Sequence, residues 1–200
     1  MSTANSLTVE DLGSAAQRDR RKRILDATYE LASEGGFDAV QMRAVADKAD
    51  VALGTLYRYF PSKIHLLVSA LGREFERAEA LLREKPIPGD TASERVIYVL
   101  RKTTRGLQGD PHLTEALTRA FMFADATVAN EIHAVGMLMT SMLTHAMHPG
   151  ATELTEHDVA IARVVGDVWL SALVAWVTGR STAAETSAHM ETAVHLLLRD

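Results

Sequence analysis

Residues 41–63, QMRAVADKADVALGTLYRYFPSK, constrain this chain more than any other stretch. Met42, Val45, Ala46 and Ala49 recur at helical spacing, and so do Val51, Leu53, Leu56 and Phe60. Each run is long enough for one short helix, and the gap between them allows a tight turn. Pro61-Ser62 follows at once, with Ser62 as an N-cap and Lys63 in the first turn of a third helix. Between the anchors Leu56 and Phe60, the second helix presents Thr55, Tyr57, Arg58 and Tyr59. That layout is a helix-turn-helix, whose second helix lies in the major groove of DNA.

Charge fits this reading once it is divided along the chain. The net charge is −5, which alone argues against a polyanionic partner. Residues 18–65 carry nine Lys/Arg against seven acids, whereas residues 71–200 carry twelve against seventeen. The bases gather at one end, as expected of a nucleic-acid footprint. Apolar residues make up 47% of the 200 positions, enough for a sizeable core in one domain or two. With no cysteine, disulfides, thiolate metal sites and cysteine nucleophiles are excluded. The N-terminus lacks the apolar core of a signal peptide, and no run resembles an uncharged membrane span. A cytoplasmic protein with no membrane partner is expected.

Residues 1–16 are polar and aperiodic and read as a flexible N-terminal arm. A first helix follows from about residue 17 to 33, with Ile24, Leu25, Ala27, Thr28, Leu31 and Ala32 toward a core. Gly35-Gly36 stops it, and Phe37 and Val40 plug the space before the helix pair. Residues 17–65 thus form a three-helix head. The helix opened at Ser62 runs to the break at PIPGD, and residues 66–200 form a larger helical body. Its helices span about 92–107, 111–123, 127–147, 155–178 and 183–198, with Pro111 suited to a first turn. The fold class is all-α.

RILDATYELASEGGFDAVQMRAVADKADVALGTLYRYFPSKIHLL resembles the N-terminal domain of TetR-type transcriptional regulators. The resemblance covers about residues 20–68, with the helix-1 pattern, glycine turn, aromatic plug, GTLYRYF and FPSK in order. Where many members have Ala-Gly-Val-Ser at the turn, this chain has Ala49-Asp50-Val51-Ala52, so a Ser cap is missing. SLTVEDLGSAAQRDRRKRILDAT, HLLVSALGREF, TEALTRAFMFAD and ARVVGDVWLSALVAW are similar to the KstR group of that family. The resemblance implies an all-helical ligand-binding and dimerisation domain, a homodimer, and control of cholesterol or steroid breakdown genes. It also implies release from DNA by a steroid–coenzyme A thioester. Regulators of fatty-acid metabolism or drug efflux share the same head and remain the alternative, and an architectural DNA-binding protein without an effector is the third.

Candidate DNA-binding residues follow from position and chemistry. Arg18, Arg20 and Arg21, in a basic run that continues through Lys22 and Arg23, can meet phosphates or the minor groove. Gln41 and Arg43 open the first helix of the pair, where backbone amides already favour phosphate. Gly54 permits close backbone approach, Thr55 and Tyr57 can reach base edges or phosphate, and Arg58 offers a guanidinium. By the resemblance, Tyr59 and Lys63 occupy phosphate-contacting positions.

In the body, pliant apolar groups suggest a pocket between helices. Phe121, Met122, Met142 and Trp169 are its candidate lining, for a hydrophobic small-molecule effector. Arg101 and Arg105, with Lys102 and Arg119, are candidate cations for a thioester's coenzyme A. The last two helices are expected to form the dimer, through Ile161, Val165, Val168, Ala172 and Trp176 and through Ala193, Val194, Leu197 and Leu198, with small Ala160, Gly166, Ser171 and Ala175 letting helices approach closely. A two-fold dimer reads a pseudo-palindromic operator. Catalytic residues, cofactors and metal ligands are not expected: His145-x-x-His148 is the one close histidine pair, with no evident carboxylate partner, and no nucleophile elbow or phosphate loop is present.

Overall fold

The structure, a computed structural model, describes residues 9–198. Among them there is no strand, and nine α-helices follow one another. The head comprises α1 (Val9–Ala39), α2 (Met42–Lys48) and α3 (Leu53–Tyr59). The body comprises α4 (Lys63–Arg83), α5 (Ala92–Gln108), α6 (Pro111–Met122), a 3-10 turn (Ala126–Val128), α7 (Ala129–Met147), α8 (Glu156–Val177) and α9 (Ala183–Leu197). Residues 9–16 of the expected arm are helical and continue α1; the rest of that arm lies outside the described residues.

Caps and breakers set the helix boundaries. Ser62 accepts from the His65 N–H at the start of α4. Thr91–Glu94, Thr155–Asp158 and Thr182–Glu185 form reciprocal capping boxes on α5, α8 and α9. Asp110 caps α6, with Pro111 in its first turn. The α8 cap makes a pH test. Hydrogen bonds from the Thr155 hydroxyl and N–H and from His148 lower the Asp158 pKa to about 2. A carboxyl depressed on folding stabilises above its unfolded pKa and loses that contribution as pH falls through the folded value. Thermal melts from pH 5 to pH 2 should therefore show a smaller acid loss in Asp158→Asn than in the wild type.

The turn between α2 and α3 departs from a standard cap. No side chain caps α3, whose N-cap is Ala52, and Asp50 adopts φ 52°. Asp tolerates that left-handed conformation better than most residues. Arg23 donates from Nη1 to the Ala49 and Asp50 carbonyls at 2.7 and 3.3 Å, satisfying groups at the end of α2. The last base of the basic run therefore holds the turn together.

Ile24, Leu25, Val40, Val45, Leu56 and Phe60 fill the head core. It runs unbroken into the body through α4, where Leu66, Leu67, Val68 and Ala70 are fully buried. Arg73 pins α4 to α1, donating to Asp26 at 2.6 Å and to the Leu25 carbonyl at 3.2 Å. Burial raises the Asp26 pKa, but bonds from Lys22 and Arg73 outweigh it and hold the carboxyl below its ordinary value.

In the body α7 packs on α4, α5 and α8, α8 also packs on α6 and α9, and α9 reaches α5. By length and composition α8 could cross a membrane, with mean hydropathy 1.6 over its best 18 residues. It carries Asp158, Arg163 and Asp167, however, and packs on α6, α7 and α9. The expected dimer face on α8 needs correction. Ile161, Val165 and Ala172 are buried within the chain, and so is Val194 of α9. The outward stripe on α8 keeps the expected Val168 and the expected small residues Ala160, Ser171 and Ala175 and adds Val164, at a spacing of three or four residues, and Leu196 stands out from α9 at 63% exposure.

Candidate DNA interface and effector cavity

The head presents Gln41, Arg43, Gly54, Tyr57 and Arg58 to solvent, with Thr55 and Tyr59 half-buried beside them. Leu56 and Phe60, on the opposite side of α3, are buried. The 3.6-residue period thus separates an anchor face from a reading face within seven residues. Gln17 and Arg20 of α1 and Arg58 and Tyr59 of α3 line one open cleft of about 470 Å³. The structure therefore brings three of the expected DNA residues together and adds Gln17, which the sequence pattern did not single out. Arg21 places its guanidinium 5.7 Å from the centre of the Phe60 ring, and Arg18 and Arg20 lie on the same stretch of α1.

Lys63 departs from a simple surface cation. Its ammonium lies 3.8 Å from the centre of the Phe37 ring, and burial pulls its pKa below the ordinary value. Two residues on, His65 is buried. Its Nε2 faces the Thr127 carbonyl at 3.0 Å, so in the neutral ring Nε2 carries the proton and Nδ1 accepts from the Ser62 hydroxyl at 2.9 Å. The start of α4 is thereby tied to the connection between α6 and α7.

Gly54 gives a direct test of the reading face. A Cβ built there meets nothing within 4 Å, so no contact inside the chain requires glycine. Gly54→Ala should raise stability by about 0.5–1 kcal/mol through helix propensity, yet weaken DNA binding where the backbone must approach. Melting curves and gel shifts on one preparation give both signs.

The body encloses a cavity of about 430 Å³ among α4, α5, α6, α7 and α8. Leu71 and Phe75 come from α4, Leu107 from α5, Thr114, Leu117, Thr118 and Phe121 from α6, Val135 and Met139 from α7, and Ala162, Gly166, Trp169 and Leu173 from α8. Trp169 lies 5.9 Å from Phe75 between ring centres and donates its indole N–H to Thr104 at 2.8 Å. Exposed His133, Met137, Arg163 and Asp167 stand at the rim.

Of the candidate pocket residues, Phe121 and Trp169 line this cavity, and Met122, Met142, Arg101, Lys102, Arg105 and Arg119 do not. Met142 is 1% exposed and packs in the core, and Met122 points outward at 56% exposure. Arg101 pairs with Glu191 of α9 at 2.7 Å, and Arg105 is exposed and off the cavity wall. Arg163 of α8 and His133 of α7 hold the rim position expected of α5 cations. Bulk and pliancy pointed to methionines, whereas a large share of the wall is threonine, glycine and alanine. The spacing 114, 117, 118, 121 on α6 was the available signal. Among the described residues no group of three or more His, Asp or Glu could hold a metal ion, and His148 has a carboxylate partner in Asp158.

Known proteins share both halves of this architecture. Residues 24–70 match the family "Bacterial regulatory proteins, tetR family", and residues 89–197 match "Tetracyclin repressor-like, C-terminal domain". The HTH-type transcriptional repressor KstR of Rhodococcus jostii is 58% identical over 197 residues, covering 98% of this chain and 91% of the relative. A crystal structure of a TetR transcriptional regulator from Rhodococcus sp. RHA1 superposes with a TM-score of 0.84 at 33% identity, over 92% of this chain and 97% of that one. Thermus thermophilus FadR, crystallised with lauroyl-CoA, shares the fold with a TM-score of 0.68 at 21% identity, over 89% of this chain and 93% of that one. This chain belongs to the TetR family of bacterial transcriptional regulators, within its KstR group.

Proposed function

We propose that this repressor binds a pseudo-palindromic operator as a two-fold dimer and is released by a steroid–coenzyme A thioester, so controlling genes of cholesterol or steroid breakdown. The observation that carries the effector half is the cavity: apolar walls around about 430 Å³, with Arg163 and His133 at an open rim. That volume falls within the usual range for small-molecule sites. An apolar body seated inside and an anionic group left at the rim match an acyl thioester. Phe121 and Trp169 would contact the apolar body. The similarity to KstR supports the steroid class.

For the DNA half, Arg18, Arg20, Arg21, Gln41, Arg43, Gly54, Thr55, Tyr57, Arg58, Tyr59 and Lys63 form the contact set. The outward stripes of α8 and α9 would bring two copies together. Ligand and DNA then oppose each other through one coupling free energy, each weakening the other's binding equally.

A fatty acyl thioester is the second reading, favoured by the lauroyl-CoA held in the T. thermophilus neighbour. A thermal-shift panel separates the two. At a hundredfold excess over its Kd a ligand adds about 2.7 kcal/mol, or roughly 5–10 °C in Tm for a chain of this size. A steroid thioester should give that shift and release DNA in a gel shift, while lauroyl-CoA and cationic dyes should not. The reverse ranking would replace the steroid reading with the fatty acyl one. Mass spectrometry of small molecules released on denaturing the purified protein gives an independent check.

A further inference from the structure

Helix α6 shows different faces to two parts of the molecule. Thr114, Leu117, Thr118 and Phe121 line the cavity. Glu115 and Arg119, one turn apart, meet the kink that ends α1. The Phe37 N–H donates to Glu115 Oε2 at 2.8 Å, and the Arg119 guanidinium lies 4.4 Å from the centre of the Phe37 ring. Lys63, the first residue of α4, lies 3.8 Å from the same ring centre. One ring therefore carries a cation from α6 and a cation from the first residue of α4, next to the reading helix α3. Burial lowers the Lys63 pKa and Arg119 adds to that, while Asp38 and Glu115 oppose it.

The kink leaves little freedom to absorb a movement of α6. Gly36 has φ 67° and ψ −159°, and a Cβ there would lie 2.7 Å from Glu115 Oε2. Arg119 also reaches Asp38 at 3.4 Å, on the far side of the ring residue. A slide or rotation of α6 that admits a ligand must either carry Phe37 with it or break the Glu115 bond. Either event moves the surface on which Lys63 rests.

We propose that Glu115 and Arg119 are positioning residues for DNA binding: they fix Phe37, and Phe37 sets where the Lys63 ammonium stands. The inference rests on the reading of Lys63 as a phosphate contact. It adds to the long helix α4 a shorter route from cavity to head, one helix thickness across α6.

The test uses the full chain and the duplex recovered by in vitro selection from a random library with the wild-type protein. Affinity is measured over a series of KCl concentrations. Lys63→Met should weaken binding and make the plot of log K against log salt shallower by about 1.8, the value of two lost phosphate contacts, one in each half-site of the dimer. Glu115→Gln and Arg119→Gln should each weaken binding roughly fivefold or more with the same change of slope. Combined with Lys63→Met, either should add less than about twofold, because both act through one ammonium. Arg119→Lys should recover most of the affinity, since an ammonium can also rest on the ring. Circular dichroism melts check folding, and Arg119→Gln, at a partly exposed site, keeps the test open if Glu115→Gln unfolds. Slopes unchanged in both α6 variants, or losses that add in full to Lys63→Met, refute the relay and leave the phosphate contact standing. A Lys63→Met protein with wild-type affinity and slope refutes the contact itself, and the relay with it.

Discussion

Replacing Tyr57 and Lys63 together with alanine should abolish operator binding while fold and assembly persist. Tyr57 is 46% exposed and belongs to the reading face of α3, so its ring contributes little to the head core. Lys63 is the first residue of α4, and alanine, the best helix former, leaves the backbone of that turn unchanged. Its removal costs the contact with Phe37, a cation–π pair worth about 0.5–1 kcal/mol at a partly exposed site. The Tm should therefore fall by only a few degrees. On DNA the arithmetic differs. Base and phosphate contacts are each worth roughly 1–3 kcal/mol, and a two-fold dimer loses both in both half-sites. A total loss above about 4 kcal/mol corresponds to a thousandfold or more in Kd. Gel shifts and fluorescence anisotropy measure it, with sedimentation confirming the oligomeric state. Unchanged affinity in the double variant would remove both residues from the interface.

Local chemistry explains what was legible before the structure. The head could be read because each of its elements is specified by neighbours in sequence: anchors at helical spacing, Pro61 before the Ser62 cap, and two glycines ending the straight part of α1. The body helices were bounded by their caps and breakers for the same reason. The cavity was less legible because its walls come from five helices, and which face of each turns inward depends on packing. Phe121 and Trp169 line the cavity, but Met142 lies on the core side of α7 while Met139, three residues earlier, reaches the cavity. The dimer stripe was legible only in part: α8 is apolar nearly all round, so periodicity could not say that the chain itself would bury Ile161, Val165 and Ala172 while leaving Val168 less covered. Arg23 and Lys63 show another limit. Both read as cations available to DNA, yet one holds the carbonyls at 49 and 50 and the other rests on an aromatic ring. Partners 26 residues apart in sequence leave no local signature.

The kink between α1 and α2 gives the second large expectation. Gly36→Ala should destabilise the protein by roughly 2–4 kcal/mol, in contrast to Gly106→Ala in α5. At Gly36, φ 67° with ψ −159° is a backbone region that residues other than glycine enter at a cost of about 1–3 kcal/mol. The new methyl would also sit 2.7 Å from Glu115 Oε2, displacing the carboxylate from the Phe37 N–H. Losing that part-buried, charge-assisted bond adds roughly 1–3 kcal/mol. Against these stands a gain of about 0.4–1 kcal/mol from a less flexible unfolded chain. At Gly106 a Cβ meets nothing within 4 Å, so helix propensity alone should raise stability by about 0.5–1 kcal/mol. Urea melts of the two variants should move in opposite directions. A third variant separates strain from displacement. In a Glu115→Ala background the carboxylate is already gone, so adding Gly36→Ala should cost only the backbone term, and the two losses should sum to less than their separate values. Full additivity would mean that Gly36 and Glu115 stabilise the kink independently, with no shared hydrogen bond between head and body.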